Sequence, residues 1–237
     1  MPVLWEELNA DEIRDLDRDR TLLVLPVGAI EGHGSHLPTG TDWLTAVHVA
    51  EGLSERLDGV VILPGIPYGQ CSSTRNFHGT IAVRPDSVRG IVHDILDQVV
   101  EAGFRHVMVM SSHAGSGHMA ALRFATGDVV RNRGVRIAVV SDYEVGYGFE
   151  DNPEGDGHAG MMETSRMMVA RPDLVGEGKA LRTERSSRYI VRPDPEVMFP
   201  DGGTGDASAA SRKFGEEVND YIFERLLSVI EELMNGG

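Results

Sequence analysis

The sequence predicts an α/β fold, a three-layer α/β/α sandwich around a mainly parallel central sheet, in one domain over residues 1–237. Three observations predict it. Apolar runs of strand length recur at 21–27, 60–63, 106–110 and 135–140, and stretches with helical spacing separate them. The loops that follow these runs are polar and rich in His, Asp and Glu. Strand–helix–strand units of this length cross over right-handedly, which makes the strands parallel and puts helices on both faces of the sheet.

Residues 10–18 read as a short polar helix before the first strand, which runs from Thr21 to Val27 and breaks at Gly28. Thr41 or Asp42 can cap a helix whose apolar positions are Leu44, Val47, Ala50, Leu53 and Leu57. Val60 to Leu63 is the second strand, closed by Pro64 and Gly65. The loop IPYGQCSSTRNFHGT follows over 66–80, long enough for a compact domain to suggest function. Ile81 to Val83 reads as a short strand, and Pro85 opens a helix that Gly103 stops. His106 to Met110 is the third strand and runs into SSHAGSGH; a helix over 119–131 and a strand from Val135 to Val140 come next. A long loop over 141–157 leads to the helix start GHAGMMETSRMMVA. Residues 171–211 are irregular, and the last helix, 212–234, presents Phe214, Val218, Ile222, Leu226 and Ile230 to the core.

Composition bounds the partners. The chain carries 22 Lys and Arg against 37 Asp and Glu, a formal charge of -15, which repels phosphate backbones and anionic lipid. No nucleic-acid or membrane partner is expected, and no apolar run approaches membrane-spanning length. The charged start MPVLWEELNADEIRDLDRDR lacks a signal core, and the lone Cys71 permits no internal disulfide, so the expected location is cytoplasmic. Cys71 itself reads as a buried or incidental thiol.

The chemistry sits beyond the strand ends. In a parallel sheet the loops after Val27, Met110 and Val140 share one edge, so Glu31, His33 and Asp42 can meet His113 there. Two imidazoles and two carboxylates offer nitrogen and oxygen donors suited to zinc, manganese or iron(II), and Asp42 can bridge two ions. Such an ion lowers the pKa of bound water and polarises a carbonyl, chemistry that fits hydrolysis of amide-like bonds. His158 and Glu163, from another loop, are then candidates for proton transfer to the leaving nitrogen. His36 reads as a ligand or as a partner behind the ligands, and His118 as a surface or capping residue. His48 and His93 read as structural. The run Gly202-Gly203-Thr204-Gly205 follows no clear strand, so it reads as a flexible or substrate-adjacent loop rather than a phosphate cradle.

Four separated segments resemble the creatininase family of metal-dependent amidohydrolases. LPVGAIEGHGSHLPTGTD is similar to its Leu-Pro-x-Gly-x-x-Glu-x-His-Gly-x-His-Leu-Pro pattern with a later Asp, and MVMSSHAGSGH to its strand ending in Asn-Gly-His-Gly-Gly-Asn. GHAGMMETS is similar to its His-Ala-Gly-x-x-Glu-Thr-Ser, and GGTGDASAAS to the glycine-rich segment before its last helix. The resemblance implies a single catalytic domain with two divalent ions per subunit, a small-molecule amide substrate, and a homo-oligomer, often a hexamer built as a trimer of dimers. It implies that Glu31, Asp42 and His113 hold one ion and that Asp42 reaches a second beside His33. His158 would transfer the proton, with Glu163 its partner or a metal-site carboxylate.

Departures narrow the expectation. Creatinine-hydrolysing members place a Glu two residues after the metal-binding His, where this chain has Gly115, and a Trp shortly before His-Ala-Gly, where this chain reads FEDNPEGD. Ser111, Ser112 and Ser116 replace the usual Asn, Gly and Asn. These differences point away from creatinine. The expected activity is hydrolysis of a C–N amide bond in a cyclic amide, formamide or related small amide. A family peptidase or formylamide deformylase is the near alternative, and a metal- or ligand-binding protein without turnover is the alternative of another class.

Overall fold

The computed structural model describes residues 1–184 and 190–235. Its central sheet has five strands, all parallel: β1 (Val3–Leu4), β2 (Leu22–Val27), β3 (Val60–Ile62), β4 (His106–Ser111) and β5 (Ile137–Ser141), in spatial order β1-β3-β2-β4-β5. Among these, β2 and β4 carry the longest apolar runs and sit in the middle, where both faces are covered. Helices α1 (Ala10–Asp15), α2 (Thr41–Arg56), α3 (Pro85–Glu101), α4 (Ser116–Arg133), α5 (Asp142–Gly146), α6 (Met161–Ala170) and α7 (Arg212–Asn235) complete the main framework.

Alternation along each strand divides the core. Leu23, Leu25, Val107 and Val109 pack with Val88, Val92 and Leu96 of α3 and Leu122 and Ala125 of α4. Their neighbours Leu22, Val24, Met108 and Met110 face the opposite way, onto Val49 and Leu53 of α2 and Val218, Ile222 and Leu226 of α7. The result is the three-layer α/β/α sandwich with a parallel sheet.

Connections from β2 run to β3 on one side and those from β4 to β5 on the other, so the order switches direction between β2 and β4. Register aligns Val27 with Ser111 and Ser111 with Ser141, which brings the three following segments out at one rim. A cleft beyond the carboxyl ends of strands at a switch point is where open α/β sheets bind ligands. Gly28 permits the close approach there, because a Cβ on it would lie 2.6 Å from the Trp43 backbone of α2.

Several sequence expectations change. Ile81–Val83 is not a strand: Ile81 N–H donates to Ile30 O and Val83 N–H to Gly69 O, so the segment is extended but stitched to two loops. The 141–157 stretch opens with α5, whose Ser141 side chain accepts from Glu144 N–H; Ser-Asp-Tyr-Glu is a capping signal that the loop reading passed over. Helix α4 starts at Ser116 rather than Met119, and the sheet gains a two-residue edge strand, β1. The irregular 171–211 stretch holds a small antiparallel pair, β6 (Ala180–Leu181) with β7 (Gly205–Asp206), and residues 185–189 lie outside the described part. No described helix is long and apolar enough to cross a membrane.

Candidate metal centre

Residues from β2's loop, α2, β4's end and the start of α6 meet at the switch point. Glu31, His33, Asp42, His113 and Glu163 are all buried, between 0% and 7% exposed. Each histidine is anchored by a backbone carbonyl. His33 Nδ1 donates to Glu31 O at 3.0 Å, His113 Nε2 to Gln70 O at 3.0 Å and His158 Nε2 to Gly32 O at 2.8 Å. A carbonyl only accepts, so these bonds fix the tautomers and leave the opposite nitrogen of every ring as a lone pair.

Those three nitrogens point at carboxylates. His33 Nε2 lies 3.2 Å from Asp42 Oδ1 and 3.5 Å from Glu163 Oε2. His113 Nδ1 lies 2.9 Å from Glu31 Oε1 and 3.1 Å from Asp42 Oδ2. His158 Nδ1 sits farther out, 3.9 Å from Glu31 Oε1 and 4.0 Å from Glu163 Oε2. Acceptors facing acceptors in a sealed site require protons or cations between them. His33 Nε2 and Asp42 Oδ2 have no hydrogen-bond partner among the described residues.

The donor set fits a divalent cation. With metal–ligand bonds near 2.0–2.2 Å, neighbouring ligand atoms of a tetrahedral or octahedral shell stand roughly 3.0–3.5 Å apart, and the closest His–carboxylate contacts span 2.9–3.5 Å. Three groups gather donor atoms within 4.8 Å of one another: Glu31, Cys71 and His113; Glu31, His33 and His158; His33, Asp42 and Glu163.

Without a cation the cluster must hold protons instead. Burial opposes charge on His33, yet Asp42 and then Glu163 hold it up to about 10. His113 is likewise raised, against burial, by Glu31 and Asp42. Burial pushes the Glu163 carboxyl up, against the pull of His33. Burial and then the charge of His33 lower His158, which stays neutral. A histidine raised on folding stabilises the fold fully below its unfolded pKa and loses that contribution as pH climbs through the folded value. The chelated protein is therefore expected to lose thermal stability from about pH 6.5 to about 10, while metal-loaded protein holds its Tm, because a cation replaces the protons. A thermal melt series with chelator and with Mn2+ or Zn2+ checks this, and a flat profile for the chelated form would count against it.

The supporting contacts come from elsewhere. Glu31 Oε2 accepts from the Thr74 hydroxyl of the 66–80 loop. Glu163 Oε2 accepts from Ala159 N–H at 2.5 Å, an approach made possible by a left-handed backbone at Ala159, φ 55°. Such a conformation costs an alanine roughly 1–2 kcal/mol and belongs to a constrained site. His36 Nε2 bonds Ala159 O and Thr164 Oγ1. Asp156 accepts from Met161 and Met162 N–H at α6's start, where Gly160 offers no side-chain cap.

His118 corrects the sequence reading. It has no exposure and lies inside the first turn of α4, its ring 4.9 Å from that of His113. Cys71 is buried as expected, but its place in one donor group was not legible, and burial, then Glu31 and Asp42, push its thiol pKa up. The cleft outside the cluster holds about 220 Å³, with Ser72, Ser73, Thr74, Tyr143, Tyr147 and Phe199 in its walls.

The family model for creatininase, described as creatinine amidohydrolase, matches residues 6–230. The chain belongs to the creatininase family. Creatinine amidohydrolase of Pseudomonas putida is 28% identical, covering 89% of each chain. A mycofactocin precursor peptide peptidase of Mycobacterium ulcerans is 26% identical over 94% of this chain and 91% of its own. Among solved structures, a creatininase in a manganese form superposes with a TM-score of 0.84 at 26% identity, covering 98% of both chains. A variant creatininase of Zn-Zn type gives 0.87 at 25%, again covering 98% of both chains.

Within this creatininase-family fold, Gly115 packs directly against the His113 ring. A Cβ on Gly115 would lie 2.6 Å from His113 Nε2 and 3.4 Å from Gln70 O. With its neighbours as they stand, a side chain there would require the His113 ring to shift, whereas Glu163 Oε2 lies 3.5 Å from His33 Nε2, reached from α6.

Proposed function

We propose that this chain is a metal-dependent amidohydrolase with two divalent cations per subunit. Glu31, Asp42 and His113 would hold one, and Asp42, His33 and Glu163 the other, so that Glu163 would supply a carboxylate that Gly115, having no side chain, cannot. The observation that carries the reading is the convergence of three backbone-locked imidazole nitrogens on three buried carboxylates, with no Lys or Arg among the described residues lining the cleft. When bound, the cations supply a nucleophilic water at neutral pH and polarise the scissile carbonyl.

The chain's own residues manage the protons. His158 is neutral, and its Nε2–H is committed to Gly32 O, so Nδ1 is the acceptor that faces Glu31, Glu163 and the cleft. It takes a proton from the attacking water at Nδ1 and returns it to the departing nitrogen. The walls of Ser72, Ser73, Thr74, Tyr143 and Tyr147 offer hydroxyls to orient a small polar amide. Burial raises both tyrosines, so they remain hydrogen-bonding phenols rather than phenolates.

One observation supports a peptidase beside the small-amide reading. A second cleft of about 540 Å³ shares Phe199 with the first and would receive a longer substrate past Asn76, His78 and Lys179.

Elemental analysis of protein purified without chelator, with turnover measured on lactams, formamides and short peptides, tests the proposal. About two ions per chain and hydrolysis of at least one class are expected. Less than one tightly bound ion with no hydrolysis across the panel would overturn it in favour of a binding protein. His158→Gln is expected to keep both ions and lose turnover by about 10²–10⁴-fold. Unchanged turnover in that variant would remove His158 from the mechanism.

A further inference from the structure

His118 closes a ring of hydrogen bonds around His113. His118 Nδ1 accepts from Gln70 N–H at 3.3 Å, and His113 Nε2–H donates to the carbonyl of the same Gln70 at 3.0 Å. On the other side His118 Nε2 lies 3.2 Å from Ser111 Oγ, whose hydroxyl donates to His113 O at 2.9 Å. Ser111 Oγ also accepts from His113 N–H at 3.2 Å, and one proton arrangement satisfies all of these contacts. Nε2–H of His118 donates to Ser111 Oγ, and Nδ1 is free to receive Gln70 N–H; the reverse tautomer would set N–H against N–H at Gln70. The ring is fully buried and stacks edge-on against His113.

Gln70 belongs to the 66–80 loop, in which no described residue forms a named strand or helix. The conformation of that loop decides where the Gln70 carbonyl lies, and that carbonyl decides which nitrogen of His113 is free. Fixing the tautomer of a ligand histidine through its second nitrogen is a general device of metal sites.

We propose that His118 is a positioning residue, which clamps the Gln70 peptide so that His113 presents Nδ1 to Glu31 and Asp42. The proposal rests on the reading of His113 as a metal ligand. It assigns the helix α4 imidazole a task in the centre rather than in core filling.

Three variants test it: His118→Leu removes both bonds, His118→Asn keeps an acceptor for Gln70 N–H, and Ser111→Ala removes the other arm while leaving the ring in place. Hydrogen exchange at Gln70 N–H in the chelated protein reads the clamp without any metal. Protection is expected in the wild type and in His118→Asn and lost in His118→Leu. Titration with Co2+, followed by its visible absorption and by chelator competition, reads the consequence. His118→Leu is expected to weaken one of the two ions about 10–100-fold with a changed spectrum, His118→Asn to recover most of that affinity, and Ser111→Ala to fall between.

Unchanged Gln70 exchange in His118→Leu overturns the clamp. So do wild-type Co2+ affinity and spectrum in a His118→Leu protein whose chelated form merely melts lower. Should His118→Leu not fold, Gln70 protection lost equally in His118→Asn overturns it. A wild-type protein that takes up no Co2+ while Gln70 stays protected strikes the metal reading of the centre, and with it the purpose assigned to the clamp.

Discussion

Asp42→Ala is expected to leave less than one ion per chain and no measurable turnover. Asp42 stands in the first turn of α2, 2% exposed, with Oδ1 3.2 Å from His33 and Oδ2 3.1 Å from His113. Its two oxygens thus face two different imidazoles, which is why the proposed centre shares it between both ions. Glu31 approaches the His113 side and Glu163 the His33 side. Losing either of those would leave one half with its donors intact; losing Asp42 strips both. The chelated form should suffer as well, since Asp42 helps hold the buried charges on His33 and His113. Asp42→Asn separates charge from shape, keeping the volume but placing an amide where a carboxylate is needed. Elemental analysis and turnover of the two variants decide the matter. Two ions retained in Asp42→Ala would rule out the shared role.

The parts of this centre that were legible in the sequence are those in which side-chain chemistry and strand position coincide. Glu31, His33 and Asp42 follow the apolar run of β2, and His113 follows that of β4; a parallel sheet delivers all four to one rim. Glu163 was legible as a candidate for two roles, partner of His158 or metal-site carboxylate, and its position 3.5 Å from His33 Nε2 favours the second. His118 was misread because the helix was started at Met119, three residues late, which moved a buried ring to a helix edge. Gln70 contributes only its peptide group to the ring around His113, and a backbone contribution leaves no mark in residue type. Strand β1 escaped for a related reason: two residues make no periodicity, and pairing with β3 alone defines them. Ile81–Val83 erred the other way, with strand-forming residues where no neighbouring strand offers a ladder.

Behind the centre lies a second buried charge pair with a large expected effect. Arg166 and Asp142 meet at 2.6 Å with side chains 2% and 0% exposed. Ser112 Oγ donates to Asp142 Oδ2 at 2.8 Å and Arg166 Nε to Asn219 Oδ1 at 2.8 Å. The network ties the residue beside His113, the start of α5, the helix that carries Glu163 and α7 into one unit. Each member has a cost if its partner is removed, because the remaining charge stays in a low-dielectric interior without compensation. Arg166→Leu is expected to destabilise the protein by about 3–5 kcal/mol, a Tm lower by roughly 10 °C for a chain of this size. Asp142→Leu alone should cost as much. The double variant should recover much of the loss, since two apolar side chains of similar volume leave no orphaned charge. Denaturant unfolding of the two single variants and the double one measures both the individual costs and their coupling. Single costs below about 1 kcal/mol, in the range of an exposed pair, would show that water reaches the pair and that the network does not hold the two halves of the centre together.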